Sequence, residues 1–337
     1  ISSPLIHGDA HENEEPKLTR RLFEAMAAAD TSVGIGRYDE ARLLYTSPLF
    51  ANNAVPTAVR RMIHLGIDLF AEEGTAIHAP LAGTVHAFAD NNVPLDYGPV
   101  ILLRHETDAG DEFFTLYGHL SRTSLAGLQV GQAIAQGERI ATIGTPDVNG
   151  GWTPHLHFQI ITDLLDAGTD FIGVCHAHER NVWKSFSPDP NLILGIPAAH
   201  FPAALPNKAS TLATRRARIG RNLSIGYREP VKVVRGWRQY LYDETGRQYL
   251  DAYNNVPHVG HCHPRVIEAA CRQMTVLNTN TRYLHDTINR YAESLCATLP
   301  ESLSVCFFVN SASEANELAL RLARTHTRQK DMIVLEA

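Results

Sequence analysis

Two short segments place metal-binding side chains at the spacing of β-strands. In the segment PHLHFQI, apolar residues alternate with His155 and His157, which is the two-residue period of a half-buried strand. In the segment MIHLGIDLF, the same period puts His64 and Asp68 on one face, with a glycine between them. Imidazole nitrogens and carboxylate oxygens are common zinc ligands. We therefore predict that the two strands together form a zinc site.

The composition is that of an ordinary globular protein of about two domains. The chain has 337 residues, of which 44% are hydrophobic and 20% are charged. A net charge of −6 without a basic block argues against nucleic acid and against an anionic membrane surface as partners. No apolar run approaches the roughly 20 residues that cross a bilayer.

The chain starts at Ile1 without a signal segment, so we expect a piece of a longer cytoplasmic polypeptide. Its five cysteines show no CxxC spacing and are expected to be reduced thiols, which agrees with a cytoplasmic location.

The segments around the metal motifs predict a compact antiparallel sheet from His64 to about Asp163. Short apolar runs alternate there with Gly, Pro, Asn and Asp, as in an all-β domain. The run FFTLYGHL is predicted to be a strand with Thr115, Tyr117 and His119 on one face. An amphipathic helix is predicted over residues 16–29.

Four motifs in the order HLGID, APLAGTV, YGHL and PHLHF resemble the lysostaphin-type (LytM) zinc endopeptidases over about residues 60–165. The resemblance implies zinc held by His64, Asp68 and His157, with water at the fourth position. It also implies that His119 and His155 lie beside the metal as catalytic histidines. One would take the proton of the water while the other steadies the oxyanion, and the sequence does not assign these two roles.

Other residues near these motifs suggest further interpretations. Trp152 stands where the family usually has small residues, so it is expected to narrow the cleft or to change the substrate. The segment 175–179 (CHAHE) has no partner pair at metal spacing, and we interpret it as a loop without a metal. His86 and His105 are interpreted as solvent-facing strand residues.

The pattern changes after a segment rich in Pro and Ala, residues 187–211. A hairpin is predicted at residues 243–246, and helices are predicted from Pro264 and over residues 286–299. The continuous apolar run 305–309 predicts a buried strand. It is followed by a capping box that opens a helix at residues 311–314 and by a strand over residues 332–335.

Three segments resemble the N-terminal third of class III, fold-type I pyridoxal-phosphate enzymes: GRQYLDAYNNVPHVGHCHPRVIEAA, LNTNTRYLHD and NSASEANELALRLAR. The second run is most similar to the phosphoethanolamine phospho-lyase branch. Ser311, Ala312 and Ser313 match the turn that binds the cofactor phosphate, although the family commonly has Gly at the position of Ala312.

The resemblance also implies residues that would follow Ala337: an aromatic stacked on the cofactor ring, an acid on its pyridine nitrogen and a Schiff-base lysine. Lys208, Lys232 and Lys330 do not lie in such a motif. We therefore expect pyridoxal phosphate only in a complete parent protein, and no transaminase or lyase activity from this chain alone. The family is usually dimeric, so a homodimer through this part is expected.

These predictions define a multidomain protein. An antiparallel all-β LytM-like peptidase domain (46–199) follows a linker with a short amphipathic helix (1–45). After a second linker (200–214) comes an incomplete α/β fragment of a fold-type I pyridoxal-phosphate enzyme (215–337). The leading hypothesis is a zinc-dependent endopeptidase acting on a peptide substrate. The alternatives are a class III aminotransferase or phospho-lyase with the peptidase-like domain as an appendage, and a catalytically idle zinc-binding assembly module.

Overall fold

The computed structural model describes residues 5–6, 10–45, 50, 60–201, 205–253 and 256–333. The chain forms two compact units, Ile1–Pro264 and Arg265–Ala337. Among the described helices, none combines the length and the hydropathy that a membrane crossing needs.

The first unit contains short helices and all the strands of the described residues. Its helices are α1 (Lys17–Ala28), α2 (Arg180–Phe186), α3 (Asn191–Leu194) and α4 (Lys208–Arg218). Its strands are β1 (Gly34–Gly36), β2 (Ile63–His64), β3 (Ile67–Phe70), β4 (Ala76–His78), β5 (Gly83–Asn91), β6 (Gly98–Glu106), β7 (Glu112–Gly118), β8 (Ala133–Ile134), β9 (Arg139–Thr142), β10 (His155–Ile161), β11 (Val174–Cys175), β12 (Val233–Trp237), β13 (Tyr240–Asp243) and β14 (Gln248–Leu250). The predicted helix 16–29 is confirmed as α1, which buries Leu18 and Met26.

A seven-stranded antiparallel sheet in the order β1-β3-β10-β7-β6-β5-β8 forms the centre of this unit. One of its faces packs into an apolar core that includes Ile101, Leu103, Tyr117 and Phe158. The rings of Tyr117 and Phe158 contact each other with centroids 5.3 Å apart. The predicted antiparallel all-β domain is therefore present, and its core face carries the apolar half of the alternating pattern.

The segment 62–70 differs from the single strand that its alternation predicts. It forms two strands, since β2 pairs with β11 in a small sheet of its own while β3 lies in the large sheet. Gly66 lies at the break, where a Cβ atom would be 2.5 Å from Cε1 of His157 and 2.8 Å from the carbonyl oxygen of Phe158. The chain changes sheets here because the backbone must pass this close to β10.

A three-stranded meander, β12-β13-β14, completes the first unit. Its predicted turn after Asp243 is confirmed, with the carboxylate of Asp243 accepting hydrogen bonds from the backbone of Thr245 and Arg247. Trp237 and Tyr242 of the meander pack in a buried cluster with Ile63 of β2. These contacts place the meander in the first compact unit, whereas we predicted a boundary near residue 200; the domain limits themselves stay a prediction.

Up to residue 333, where its described part ends, the second unit contains three helices: α5 (Pro264–Val276), α6 (Asp286–Cys296) and α7 (Ala312–Thr327). The predicted helices from Pro264 and Asp286 are thus present. The prediction of a buried strand over residues 305–309 is wrong for the structure: no strand is formed, and the side chains of Val305 and Phe307 are 78% and 63% exposed. A strand needs a neighbouring strand to satisfy its backbone, and the described residues of this unit provide none. The strand predicted over residues 332–335 extends beyond the described residues.

Candidate metal centre

Three buried side chains of the first unit converge on one point. Nε2 of His64 lies 3.0 Å from Nδ1 of His157, and both nitrogens lie 3.1 Å from Oδ1 of Asp68. All three side chains are at most 3% exposed. Within the described ranges, these are the residues whose His, Cys, Asp or Glu ligand atoms group closely enough to hold a metal ion.

The strand register brings two of these side chains together. Asp68 on β3 is the direct partner of His157 on β10, so both point to the same face of the sheet. Gly118 at the end of β7 is the partner of His157 on its other side, and the ring of Tyr97 packs where a side chain at this position would lie. His64 belongs to β2, which lies outside the large sheet and precedes the break at Gly66.

Hydrogen bonds fix which nitrogen of each histidine faces the centre. Nδ1 of His64 lies 3.0 Å from the carbonyl oxygen of Arg37, which only accepts, so Nδ1 carries the proton. Nε2 of His157 lies 2.9 Å from Oε1 of Gln159. The amide nitrogen of Gln159 donates to the carbonyl oxygen of Ile172, so its Oε1 must accept from His157. Nε2 of His64 and Nδ1 of His157 therefore present lone pairs to the same point.

The carboxylate of Asp68 has a second partner that the sequence did not reveal. Nη1 of Arg42 lies 2.5 Å from Oδ2 of Asp68, and Arg42 is 8% exposed. Burial alone would raise the pKa of Asp68, but the neighbouring His64 and Arg42 outweigh it and hold the pKa well below its usual range. Arg42 lies in an irregular segment without periodicity, so no pattern in the sequence indicates this contact. Gln159, in contrast, shares the polar face of PHLHFQI with the two histidines.

The residues present fit a zinc ion. Zinc in proteins takes nitrogen and oxygen donors at about 2.0–2.1 Å, which places two donors of a tetrahedral ion about 3.3 Å apart. The separations of 3.0–3.1 Å are close to that value. Burial, together with the nearby Arg42, lowers the pKa of His64 to about 4, so the imidazole is neutral and able to ligate near pH 7.

The two predicted catalytic histidines lie side by side next to this centre. The ring centroids of His119 and His155 are 4.3 Å apart, and Nε2 of His155 lies 3.7 Å from Oδ1 of Asp68. Nδ1 of His119 donates to the carbonyl oxygen of Asn149, and Nδ1 of His155 donates to that of Thr153. Each ring therefore keeps Nε2 as its proton-accepting atom.

The side chain of His119 points to the opposite face from the one predicted, because of its backbone conformation. Alternation along β7 would put His119 on the core face with Tyr117, away from Asp68. His119 follows the last residue of β7 and has φ of 64°, a left-handed conformation that is uncommon outside glycine. This turn directs the imidazole to the metal centre. Residues with strained backbone conformations are often found at functional sites.

Burial holds both catalytic candidates in the neutral form. Burial, with the neighbouring His155 and His157, lowers the pKa of His119 well below its usual value. Burial also lowers the pKa of His155, although the charge of Asp68 opposes the effect. Both are thus neutral bases near pH 7.

A cavity of about 230 Å³ opens onto the three ligand atoms and the two neighbouring histidines. The aromatic rings of Tyr45, Phe50, Tyr97 and Trp152 form part of its described walls, together with charged and aliphatic side chains. The indole nitrogen of Trp152 donates to the carbonyl oxygen of Asp96, and its ring meets that of His119 edge-on at 6.0 Å. Trp152 therefore forms part of the wall of the cleft; its effect on the substrate stays a prediction.

Three further interpretations concern histidines outside this centre. His86 is exposed, as predicted. The prediction that His105 faces solvent is wrong, because it is 5% exposed and bonds to the carbonyl oxygen of Ala82 and the hydroxyl of Thr115. The segment 175–179 is not the predicted loop, since Cys175 ends β11 and residues 177–179 form a short 3-10 helix; that it binds no metal stays a prediction.

The predicted cofactor turn lies at the start of α7. Oγ of Ser311 accepts a hydrogen bond from the backbone nitrogen of Glu314. In return, the carboxylate of Glu314 accepts a hydrogen bond from the backbone nitrogen of Asn310. The predicted capping box is thus present, shifted by one residue in its second bond. Ala312 and Ser313 form the first turn of the helix; their role toward a cofactor phosphate stays a prediction.

Two protein families match separate parts of the chain. The model for Peptidase family M23 matches residues 62–167, and the model for Aminotransferase class-III matches residues 225–335. Both resemblances are confirmed: one segment of the chain is similar to Peptidase family M23 and another to Aminotransferase class-III.

The curated relatives match the second segment. An alanine–glyoxylate aminotransferase 2-like protein of Drosophila melanogaster is 52% identical over 131 residues, which are 39% of this chain and 26% of the relative. Ethanolamine-phosphate phospho-lyase homolog 1 of Caenorhabditis elegans is 44% identical over 141 residues, 42% of this chain and 30% of the relative. The chain thus spans less than a third of each, and both relatives are named for aminotransferase or lyase activity, not for a peptidase.

Solved structures are similar to both segments. A phospholyase from Arthrobacter in complex with phosphoethanolamine is 47% identical, with a TM-score of 0.34 over 36% of this chain and 28% of its own. The catalytic domain of lysostaphin from Staphylococcus simulans is 22% identical, with a TM-score of 0.32 over 51% of this chain and 97% of its own.

Proposed function

We propose that residues 46–199 form a zinc-dependent endopeptidase. One observation carries this proposal: three buried donor atoms, on His64, Asp68 and His157, lie 3.0–3.1 Å apart with their lone pairs directed to a common point. Two imidazoles and one carboxylate leave a coordination position open, which is typical of catalytic zinc sites.

Each residue of the centre has a role that its contacts support. Nε2 of His64, Oδ1 of Asp68 and Nδ1 of His157 would hold the metal. When bound, zinc supplies Lewis acidity, which polarises a carbonyl group and lowers the pKa of water toward about 7. The carbonyl of Arg37 and the amide of Gln159 keep the two ligating rings in the correct tautomer.

His119 and His155 would perform the proton transfers. Both donate from Nδ1 to a backbone carbonyl, so Nε2 of either ring accepts a proton from the attacking water. The protonated ring then donates from the same atom, to the oxyanion or to the leaving amine. The contacts of His119 and His155 are alike in this respect, so either histidine can act as the base and the other as the stabiliser of the oxyanion.

Elemental analysis of the purified chain, together with cleavage of a glycine-rich peptide with and without a chelator, tests this proposal. About one zinc per chain and chelator-sensitive cleavage are expected. Zinc without cleavage of any peptide would favour the alternative of an assembly module. A chain that binds no zinc would contradict the proposed metal centre and leave the second segment as the basis of function.

We further propose that residues 215–337 are part of a pyridoxal-phosphate aminotransferase or phospho-lyase, with Ser311, Ala312 and Ser313 at the cofactor phosphate. The 52% identity to the Drosophila aminotransferase-like protein supports this proposal. Backbone N–H groups at the start of a helix favour a phosphate, and α7 begins at this turn. The cofactor supplies an electron sink for bonds at the amino-bearing carbon.

Because the chain spans 26–30% of these relatives, this activity is proposed for the polypeptide that carries these residues. Assays of that polypeptide with alanine plus glyoxylate, and separately with phosphoethanolamine, distinguish transamination from phosphate elimination. Turnover of neither would contradict the proposal. We also propose a cytoplasmic location, supported by five free cysteines, and a homodimer formed through this part.

A further inference from the structure

The metal centre receives two contacts from a segment that precedes the M23-matched residues. We call residues 34–45 the arm. Its strand β1 pairs with β3 so that Gly36 lies opposite Asp68. The carbonyl oxygen of Arg37 accepts from His64, and the guanidinium of Arg42 donates to Asp68. Both contacted residues are proposed metal ligands, whereas the family match begins only at residue 62.

We propose that Arg42 is a positioning residue that completes the metal centre by holding one oxygen of Asp68, so that the carboxylate ligates through Oδ1 alone. This inference rests on the proposed zinc site. It adds to that site a ligand-orienting cation from outside the family-matched segment.

The contacts of Arg42 hold its guanidinium in one orientation. Besides Asp68, it donates to the carboxylate of Glu40 at 3.1 Å and to the carbonyl oxygen of Arg37 at 3.3 Å. A planar guanidinium with several partners is held more firmly than a single-point contact. The orientation of the guanidinium therefore determines the orientation of the Asp68 carboxylate.

The two oxygens of Asp68 have different surroundings. Oδ2 is within 2.5 Å of Arg42, while Oδ1 lies 3.1 Å from both ligand nitrogens. A carboxylate without the guanidinium would be free to rotate about χ2 and to offer both oxygens. Arg42 also compensates the charge of a carboxylate that is 2% exposed, so the acceptor geometry exists before any metal arrives.

The guanidinium of Arg42 packs closely against the backbone of β1 at Gly36. A Cβ atom at Gly36 would lie 2.6 Å from Nη2 of Arg42 and 3.0 Å from Cβ of Asp68. Glycine at this position thus allows β1 to lie against the ion pair. Alanine there would displace the guanidinium while keeping its charge in the chain, which provides a second way to test the proposal.

The experiment compares the unmodified chain with Arg42→Ala, Arg42→Lys and Gly36→Ala. Arg122→Ala is the matched control, because Arg122 also pairs with an aspartate, Asp90, at 2.8 Å but at a half-exposed site. The zinc dissociation constant is measured by competition with a chromophoric chelator, and the visible spectrum of the cobalt(II)-loaded protein is recorded. Guanidinium ion is then added to Arg42→Ala.

We expect zinc binding to weaken about 10–100-fold in all three arm variants, as for other residues that orient metal ligands. The cobalt spectrum should change as Asp68 alters its coordination, and guanidinium should partly restore it in Arg42→Ala. The control should bind zinc within about twofold of the unmodified chain. If Arg42→Ala does not fold, Arg42→Lys and Gly36→Ala decide.

Two results would overturn the inference, and only the second would also contradict the proposed metal centre. If the unmodified chain binds zinc and the folded arm variants show the same affinity and cobalt spectrum, Arg42 does not position Asp68 while the proposed metal centre stands. If the unmodified chain binds no zinc, the proposed function fails and the inference fails with it.

Discussion

His157 lies directly opposite Asp68 on the neighbouring antiparallel strand, with its Nδ1 3.1 Å from Oδ1 of Asp68. A slip of one residue between β3 and β10 would place Leu156 or Phe158 opposite Asp68 instead of His157, and the imidazole would then point to the other face, because successive side chains alternate. The apolar core on the other face, which includes Phe158, opposes such a slip. The same packing that stabilises the sheet therefore sets the geometry of the metal centre.

Replacement of His157 with alanine should abolish zinc binding. A three-residue site that loses one ligand keeps only His64 and Asp68, and two donors rarely hold zinc in competition with water. Zinc content after dialysis measures the effect. His86→Ala is the control, since that side chain is exposed and distant from the centre in the sheet. Full zinc occupancy in His157→Ala would show that the ligand assignment is wrong.

Replacement of His155 with alanine should leave zinc in place and remove hydrolysis. Its Nε2 lies 3.7 Å from Oδ1 of Asp68 and is not one of the three closest donor atoms. A general acid or base typically contributes about 10²–10⁴-fold to the rate, so a loss of that size is expected. Zinc content and peptide cleavage are measured on the same preparation. Unchanged turnover would exclude His155 from the reaction, and His119→Ala would then be the variant to examine.

Gly66→Ala should weaken the centre without changing any ligand. The new methyl group would lie 2.5 Å from Cε1 of His157, and the backbone oxygen of Phe158, at 2.8 Å, limits the relief. We expect the free energy of unfolding to fall by about 1–3 kcal/mol, with weaker zinc binding as the ring is displaced. Gly226→Ala is the control, because its methyl group would meet nothing within 4 Å. Equal zinc affinity in the two variants would argue against this close packing.

The grouping of His64, Asp68 and His157 could be predicted because the residue types and their strand spacing coincide. His155 and His157 alternate with apolar residues along β10, so their common face is visible in the sequence. The break between β2 and β3 could not be predicted, since the alternation of residues 62–70 continues through Gly66. The contact of Arg42 with Asp68 was equally hidden, because it depends on how the arm folds back onto β3.

The wrong predictions share a cause: periodicity does not reveal what covers a face or an edge. His105 lies on a strand face that Ala82 and Thr115 cover, so it is buried and hydrogen-bonded. The apolar run 305–309 has the composition of a buried strand, yet it finds no partner strand among the described residues of its unit. Both outcomes depend on long-range neighbours that a local pattern does not contain.

Replacement of Trp237 with alanine should destabilise the unit that carries the metal centre. Trp237 belongs to the class III-matched residues 225–335, yet it is 9% exposed and packs in the cluster that contains Ile63, next to His64. Truncation of a buried aromatic side chain typically lowers the free energy of unfolding by about 3–5 kcal/mol.

Denaturant unfolding of the first unit, followed by its tryptophan fluorescence and by zinc release, measures this effect. Tyr253→Ala provides the control, because Tyr253 is 77% exposed and lies in the same matched segment. If Trp237→Ala unfolds at the same denaturant concentration as the control, the meander does not support the metallopeptidase-type fold. If it unfolds at a lower denaturant concentration and zinc is released in the same transition, residues of the class III-matched segment stabilise the metal centre of the M23-matched segment. Both segments contribute side chains to the cluster around Ile63.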